Sequence, residues 1–153
     1  MRARPNAGFT LIELMITIVI IAILVAIGYP SYRSWVVTSR RSDAHTLLTQ
    51  AASDEERFYT LYNSYAPNVG APSCTFGQAC GLPPADAQSP EGYYTLAVAP
   101  MAGATISTSY LLTATPTSKG NQNLDTQCTT LTLDSTNQKG STGTGSVQKC
   151  WNQ

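Results

Sequence analysis

The feature that most constrains this chain is the stretch from Phe9 to Ile27, nineteen residues of which only Thr10, Glu13 and Thr17 carry a polar side chain. As a helix it would extend about 28 Å at about 1.5 Å per residue, close to the roughly 30 Å hydrocarbon thickness of a bilayer. Ile16, Ile18, Val19, Ile20, Ile21, Ile23, Leu24, Val25 and Ile27 leave no polar face. Such a helix must be wrapped by lipid or by other protein, and a small soluble domain cannot carry it on its surface. The preceding Met1 to Gly8 holds Arg2 and Arg4 and no acid, which favours a cytoplasmic start.

Glu13 breaks the pattern. A carboxylate near the centre of a bilayer costs about 2.5 to 3.5 kcal/mol on insertion scales, less near the ends, and normally marks a partner or a function. Cleavage before Phe9 would create an α-amino group in the same apolar layer, and Glu13 is placed to pair with it in its own or a neighbouring chain. A conventional signal peptide ending at Ala26-Ile27-Gly28 fits the basic start and apolar run but has no use for the acid.

Gly8-Phe9-Thr10-Leu11-Ile12-Glu13, followed by the apolar run, resembles the prepilin peptidase site of type IV pilins. The resemblance implies cleavage between Gly8 and Phe9, N-methylation of Phe9, and neutralisation by Glu13 of an adjacent subunit's N-terminal amine during assembly. Type II secretion pseudopilins share the signature. The partners implied are other pilin subunits in a helical filament, the prepilin peptidase, the inner-membrane assembly machinery, and the inner membrane before export.

Beyond Gly28, Pro30 is expected to kink the helix. Ala44, Leu47, Leu48, Ala51, Phe58 and Leu61 then recur at spacings of three and four, with Arg40, Arg41, Asp43, Asp54, Glu55 and Glu56 mostly on the other positions. That pattern predicts an amphipathic continuation to about Tyr62. Residues 63–92 are rich in Pro, Gly, Asn, Ser and Ala and read as a connecting loop. Strand signals follow at Tyr93 to Ala99, Tyr110 to Thr115 and Thr129 to Asp134, where apolar and polar residues alternate, with connections too short for helical crossovers. The expected fold is α+β: a long N-terminal helical spine packed on a small antiparallel sheet. Its divisions are a leader at 1–8, a transmembrane and filament-core helix at 9–28, an amphipathic half at 29–62, the loop at 63–92, and the sheet with a C-terminal loop at 93–153.

Four cysteines in polar, glycine-rich segments point to disulfides and an oxidising compartment, with three pairings open. Cys74 and Cys80 enclose five residues, so a local bridge would staple the loop. The run Cys128-Thr129-Thr130-Leu131-Thr132-Leu133, then Lys139-Gly140 and Cys150-Trp151, resembles the disulfide-bounded C-terminal region of PilE-type minor pilins. A Cys128 to Cys150 bridge would close about 23 residues and contribute roughly 3 kcal/mol on the chain-entropy model.

Chemistry has little support. His45 is the single histidine and reads as a surface or interface residue. No activated nucleophile, paired acids, metal cluster or cofactor motif stands out. Asp125 and Asp134, which invite comparison with a calcium loop, lack an ordered ligand pattern and read as solvated. Asp54-Glu55-Glu56 reads as a solvent-facing strip that could meet Arg40 or Arg41 of another subunit. Net charge is zero, and Lys119, Lys139 and Lys149 are too dispersed to form a basic stripe, so DNA is a lesser expectation. The function expected is a structural subunit, a minor pilin taking part in pilus assembly. The alternatives are a filament-borne module that binds DNA or a surface ligand, and a secretion pseudopilin.

Overall fold

The computed structural model describes residues 9–70, 81–83 and 87–151. The leader 1–8, including Gly8, and the Cys74–Cys80 pair therefore lie outside the described residues. The chain divides into two units, Met1–Val36 and Val37–Gln153, with one helix, α1 (Leu11–Tyr62), contributing to both.

Among the described residues the first unit is α1 preceded by Phe9 and Thr10. Its Ile and Val residues are β-formers by propensity. In an apolar surrounding, however, only a helix satisfies every backbone group within the segment. Thr10 starts it, accepting from the Glu13 N–H on its Oγ1 at 3.3 Å. Pro30 lies inside the helix. Every residue from Phe9 to Trp35 is exposed, Phe9 at 85%.

The second unit is α+β. α1 ends where Asn63 turns left-handed (φ 54°) and its N–H donates to Tyr59 O at 2.8 Å, a conformation Asn tolerates at a helix C-terminus. Four strands follow: β1 (Tyr94–Ala99), β2 (Leu111–Pro116), β3 (Thr130–Asp134) and β4 (Lys139–Thr142), an antiparallel sheet in sequential order. The register sets Leu96 opposite Ala114, Leu112 opposite Leu133 and Ala114 opposite Leu131. With a side-chain period of two, Tyr94, Leu96, Leu112, Ala114, Leu131 and Leu133 share the buried face and form one core with Ala44, Leu47, Leu48, Ala51 and Phe58 of α1.

Three sequence expectations are corrected here. The sheet has a fourth strand, β4, whose Lys-Gly-Ser-Thr sequence shows no apolar alternation. It forms because Asp134 builds the preceding turn, its Oδ1 accepting from the Thr136 and Gln138 N–H groups at 2.8 and 2.9 Å. Gly140 permits the close pairing, since a Cβ there would fall 2.4 Å from Thr132 Oγ1.

Leu61 is 77% exposed and outside the core. Seventeen residues at about 100° each carry it about 100° around the helix from Ala44. The same rotation brings Arg41 and Glu55 onto the buried face, and both are buried, as is Asp43. For Arg41 and Glu55 position on the helix overrode side-chain polarity, whereas Asp43, at the same angle as Leu61, is covered by the Glu91 and Tyr93 N–H groups from which it accepts.

Asp125 and Asp134, expected to be solvated, are also buried. Each carboxylate is consumed by nearby donors.

Candidate functional site

The N-terminal constellation is small. Glu13 lies in the first turn of α1, exposed, with its N–H on the Thr10 hydroxyl. An acid in that turn complements the positive end of the helix dipole. Thr10-x-x-Glu13 also has the spacing of a capping box, a signal legible in the sequence that the reading of Glu13 as a charge partner passed over. The apolar window after it is long enough to cross a membrane, and none of it is buried.

In the second unit, polar side chains tie α1 to the sheet and its loops. Arg41 and Asp125 form a buried bidentate pair, Nε to Oδ2 at 2.8 Å and Nη2 to Oδ1 at 2.9 Å. Asp125 Oδ1 also accepts from the N–H of Gln127 and Cys128 at 3.2 and 3.3 Å, so the pair sets the approach to the disulfide. Gln122, wholly buried, donates through Nε2 to Tyr94 Oη at 2.9 Å and to Val37 O at 3.2 Å. Burial pushes the Tyr94 hydroxyl up to about 12, against the lowering effect of the Gln122 contact. Asp43 accepts from the N–H of Glu91 at 3.1 Å and of Tyr93 at 3.4 Å, orienting the entry to β1. Glu55 accepts from the Ala66 N–H at 2.7 Å, and burial raises its carboxyl from 4.5 to about 7, against that hydrogen bond.

The C-terminal end is a second knot. Cys128 and Cys150 are joined by a disulfide across a sequence separation of 22. α2 (Val147–Cys150), a single turn, is capped by Ser146, whose side chain accepts from the Lys149 N–H at 3.3 Å. Trp151 follows it, stacked on the His45 ring with centroids 4.7 Å apart, and its indole N–H donates to Gly140 O at 2.9 Å. His45, expected at the surface or an interface, is instead half-buried packing with Nε2 3.0 Å from Cys150 O. Burial lowers its pKa from 6.5, partly offset by the Cys150 carbonyl.

Of the lysines weighed for DNA, Lys119 reaches Tyr93, its Nζ 5.2 Å from the ring centroid, and Lys139 reaches Trp151 at 5.1 Å. Lys149 is exposed on α2. The sequence spread them along the chain; the fold gives two of them separate aromatic seats. Arg40, read only as a helix charge, joins Lys119 at Tyr93, with its guanidinium carbon 4.4 Å from the same centroid.

Comparisons with known proteins match both the N-terminal segment and most of the second unit in sequence. The family described as type IV minor pilin ComP, DNA uptake sequence receptor, matches residues 30–132, and the prokaryotic N-terminal methylation motif matches residues 3–29. The type IV major pilin protein PilA of Myxococcus xanthus is 38% identical over 68 residues, 42% of this chain and 31% of that protein. Fimbrial protein EcpC of Eikenella corrodens is 42% identical over 60 residues, 39% of each. The chain thus spans only about a third to two-fifths of these relatives' lengths. A type IV pilin structure from Shewanella oneidensis aligns with TM-score 0.42 and 25% identity, over 67% of this chain and 89% of that one. With a family match that runs from Pro30 into β3 and a methylation motif directly before it, the chain belongs to the type IV minor pilin ComP, DNA uptake sequence receptor, family.

Proposed function

We propose that this protein is a minor subunit of a type IV pilus that takes part in DNA uptake. The observation that carries the reading is the family match over residues 30–132, continuous with the methylation motif at residues 3–29. DNA enters through the family's description and not through the charge of the chain, which is zero. The mechanism is anchoring followed by assembly. The segment from Phe9 to Ile27 holds the subunit in the inner membrane. Cleavage between Gly8 and Phe9 and methylation of Phe9 prepare it, and the assembly machinery then transfers it into the filament beside other pilin subunits. Lipid contact is exchanged for helix contact, so the exposed apolar surface serves both states. Glu13 neutralises an N-terminal amine within that apolar layer, where an unpaired charge is costly.

Mass spectrometry of sheared surface filaments tests this reading. An N-methylated peptide beginning at Phe9, at low abundance relative to the other subunits, is the expected result. A chain beginning at Tyr29 and free in the medium would overturn it.

A further inference from the structure

Two cations converge on one ring at the surface of the second unit. The Arg40 guanidinium carbon and Lys119 Nζ lie 4.4 and 5.2 Å from the Tyr93 centroid. Both thus lie within about 10 Å of one another, a range over which like charges repel and a shared anion is favoured. The ion pairs among the described residues are Arg41 with Asp125 and Arg57 with Asp54, so neither cation has a carboxylate partner there. Of the acids around them, Asp43 accepts from the Glu91 and Tyr93 N–H groups, Asp125 holds Arg41, and the exposed Glu91 makes no ion pair with either cation.

Each cation is nevertheless held in place. Arg40 Nη1 donates to Gly120 O at 2.7 Å, and Lys119 Nζ donates to Glu91 O at 2.6 Å. Both acceptors are neutral carbonyls, which orient a cation without cancelling its charge. One N–H on each is thereby engaged, leaving further donors on the guanidinium and two on the ammonium. The backbone is shaped for the approach: Gly120 has φ +58°, and a Cβ there would fall 2.3 Å from Arg40 Nη1. Tyr93 is fixed by its N–H on Asp43 and by its carbonyl, which accepts from the Thr117 N–H at 2.8 Å. Helix α1, the entry to β1 and the loop after β2 therefore meet at a surface point where two cations, neither in an ion pair among the described residues, lie around one aromatic ring.

We propose that Arg40 and Lys119, gathered on Tyr93, form a phosphate clamp that takes the sugar-phosphate backbone of DNA. The clamp rests on the DNA-uptake reading above and gives it a contact point. The phosphodiesters of a strand, each sharing one negative charge over two oxygens, offer acceptors to both cations and read no base, so this contact positions the duplex and leaves sequence discrimination to other groups.

The test uses the full mature chain in phosphatidylcholine nanodiscs and a fluorescein-labelled duplex, with binding followed by anisotropy across a salt series. The double variant Arg40→Gln/Lys119→Gln is expected to bind about tenfold more weakly at low salt, with a log-affinity against log-salt slope shallower by about 1 to 2. The charge-preserving Arg40→Lys/Lys119→Arg pair is expected to keep the slope. If Arg40→Gln loses the fold by circular dichroism, Lys119→Gln alone, at an exposed site, carries the test with a slope change of about 1. A neutralised variant with wild-type affinity and slope overturns the clamp and leaves the DNA reading standing. Wild-type protein that fails to bind the duplex overturns the DNA reading and the clamp with it. Normal DNA binding with lost filament incorporation overturns the clamp in favour of a neighbouring subunit's carboxylate.

Discussion

Glu55 sits on the buried face of α1 with 0% of its surface exposed. One carboxylate oxygen takes the Ala66 N–H, while Oε1 has no partner among the described residues. Its pKa rises from 4.5 to about 7, so the folded protein holds this proton more tightly than the unfolded chain. Stability from this group is complete below about pH 4.5 and is lost as pH rises through 7. His45 acts in the opposite direction: its lowered pKa contributes stability above pH 6.5 that is lost on acidification. Comparing Glu55→Gln with wild type isolates the first effect. Thermal melts from pH 5 to 8 are expected to show the variant gaining on wild type by about 1 to 3 kcal/mol at the alkaline end, because glutamine keeps an acceptor for Ala66 without a charge to bury. The Arg41–Asp125 pair behaves differently because removing one partner strands the other charge. Asp125→Ala is expected to cost about 3 to 5 kcal/mol in urea denaturation, with much of that recovered when Arg41→Met is added.

Among the elements, β4 owes its place to its neighbours. Its inner pairing with Thr130 to Leu133 is secured by the Asp134 turn on one side and by the Trp151 indole on Gly140 on the other. The tail is therefore held by more than its disulfide: a hairpin, a stacked Trp151–His45 pair and the Cys128–Cys150 bridge act on the same segment. Replacing both cysteines by alanine is expected to lower stability by about 2 to 5 kcal/mol by urea denaturation. Trp151→Ala is expected to cost about 3 kcal/mol or more and to speed hydrogen exchange at β4 amides before those of β2 and β3. Faster exchange spread evenly over the sheet would show that Trp151 supports the domain generally and not this edge.

At the scale of the whole molecule, one helix carries two contrasting tasks. Residues 11–35 of α1 are exposed throughout and apolar for most of their length, whereas from Arg41 to Phe58 one face is sealed against the sheet. Among the described residues the first unit has no fold of its own beyond the helix, so its surroundings must supply its contacts, and the second has a closed core. Changes in the first unit should therefore alter assembly without altering the stability of the second. Glu13→Ala is expected to leave the protein at wild-type levels in membrane fractions and with an unchanged melting temperature, while its recovery in sheared filaments falls severalfold by immunoblot. Normal recovery would remove the assembly role of Glu13.

The sequence alone determined the long helix, the α+β class and three of the four strands, because each rests on a short-range period: an unbroken apolar run, spacings of three and four, and alternation in twos. It also displayed Phe9, Glu13 and the cysteines, whose meaning depends on local spacing. Only the tertiary structure decided that Arg41, Asp43, Glu55, Asp125 and Asp134 are interior residues. Their partners lie on other elements or on backbone N–H groups that no one-dimensional pattern records, and a charge bound in that way can be buried where polarity alone would place it in water. β4 and the meeting of Arg40 with the loop that carries Lys119, through Gly120 eighty residues along the chain, belong to the same class: they arise from the closing of the sheet over the helix, and each residue taken singly is ordinary.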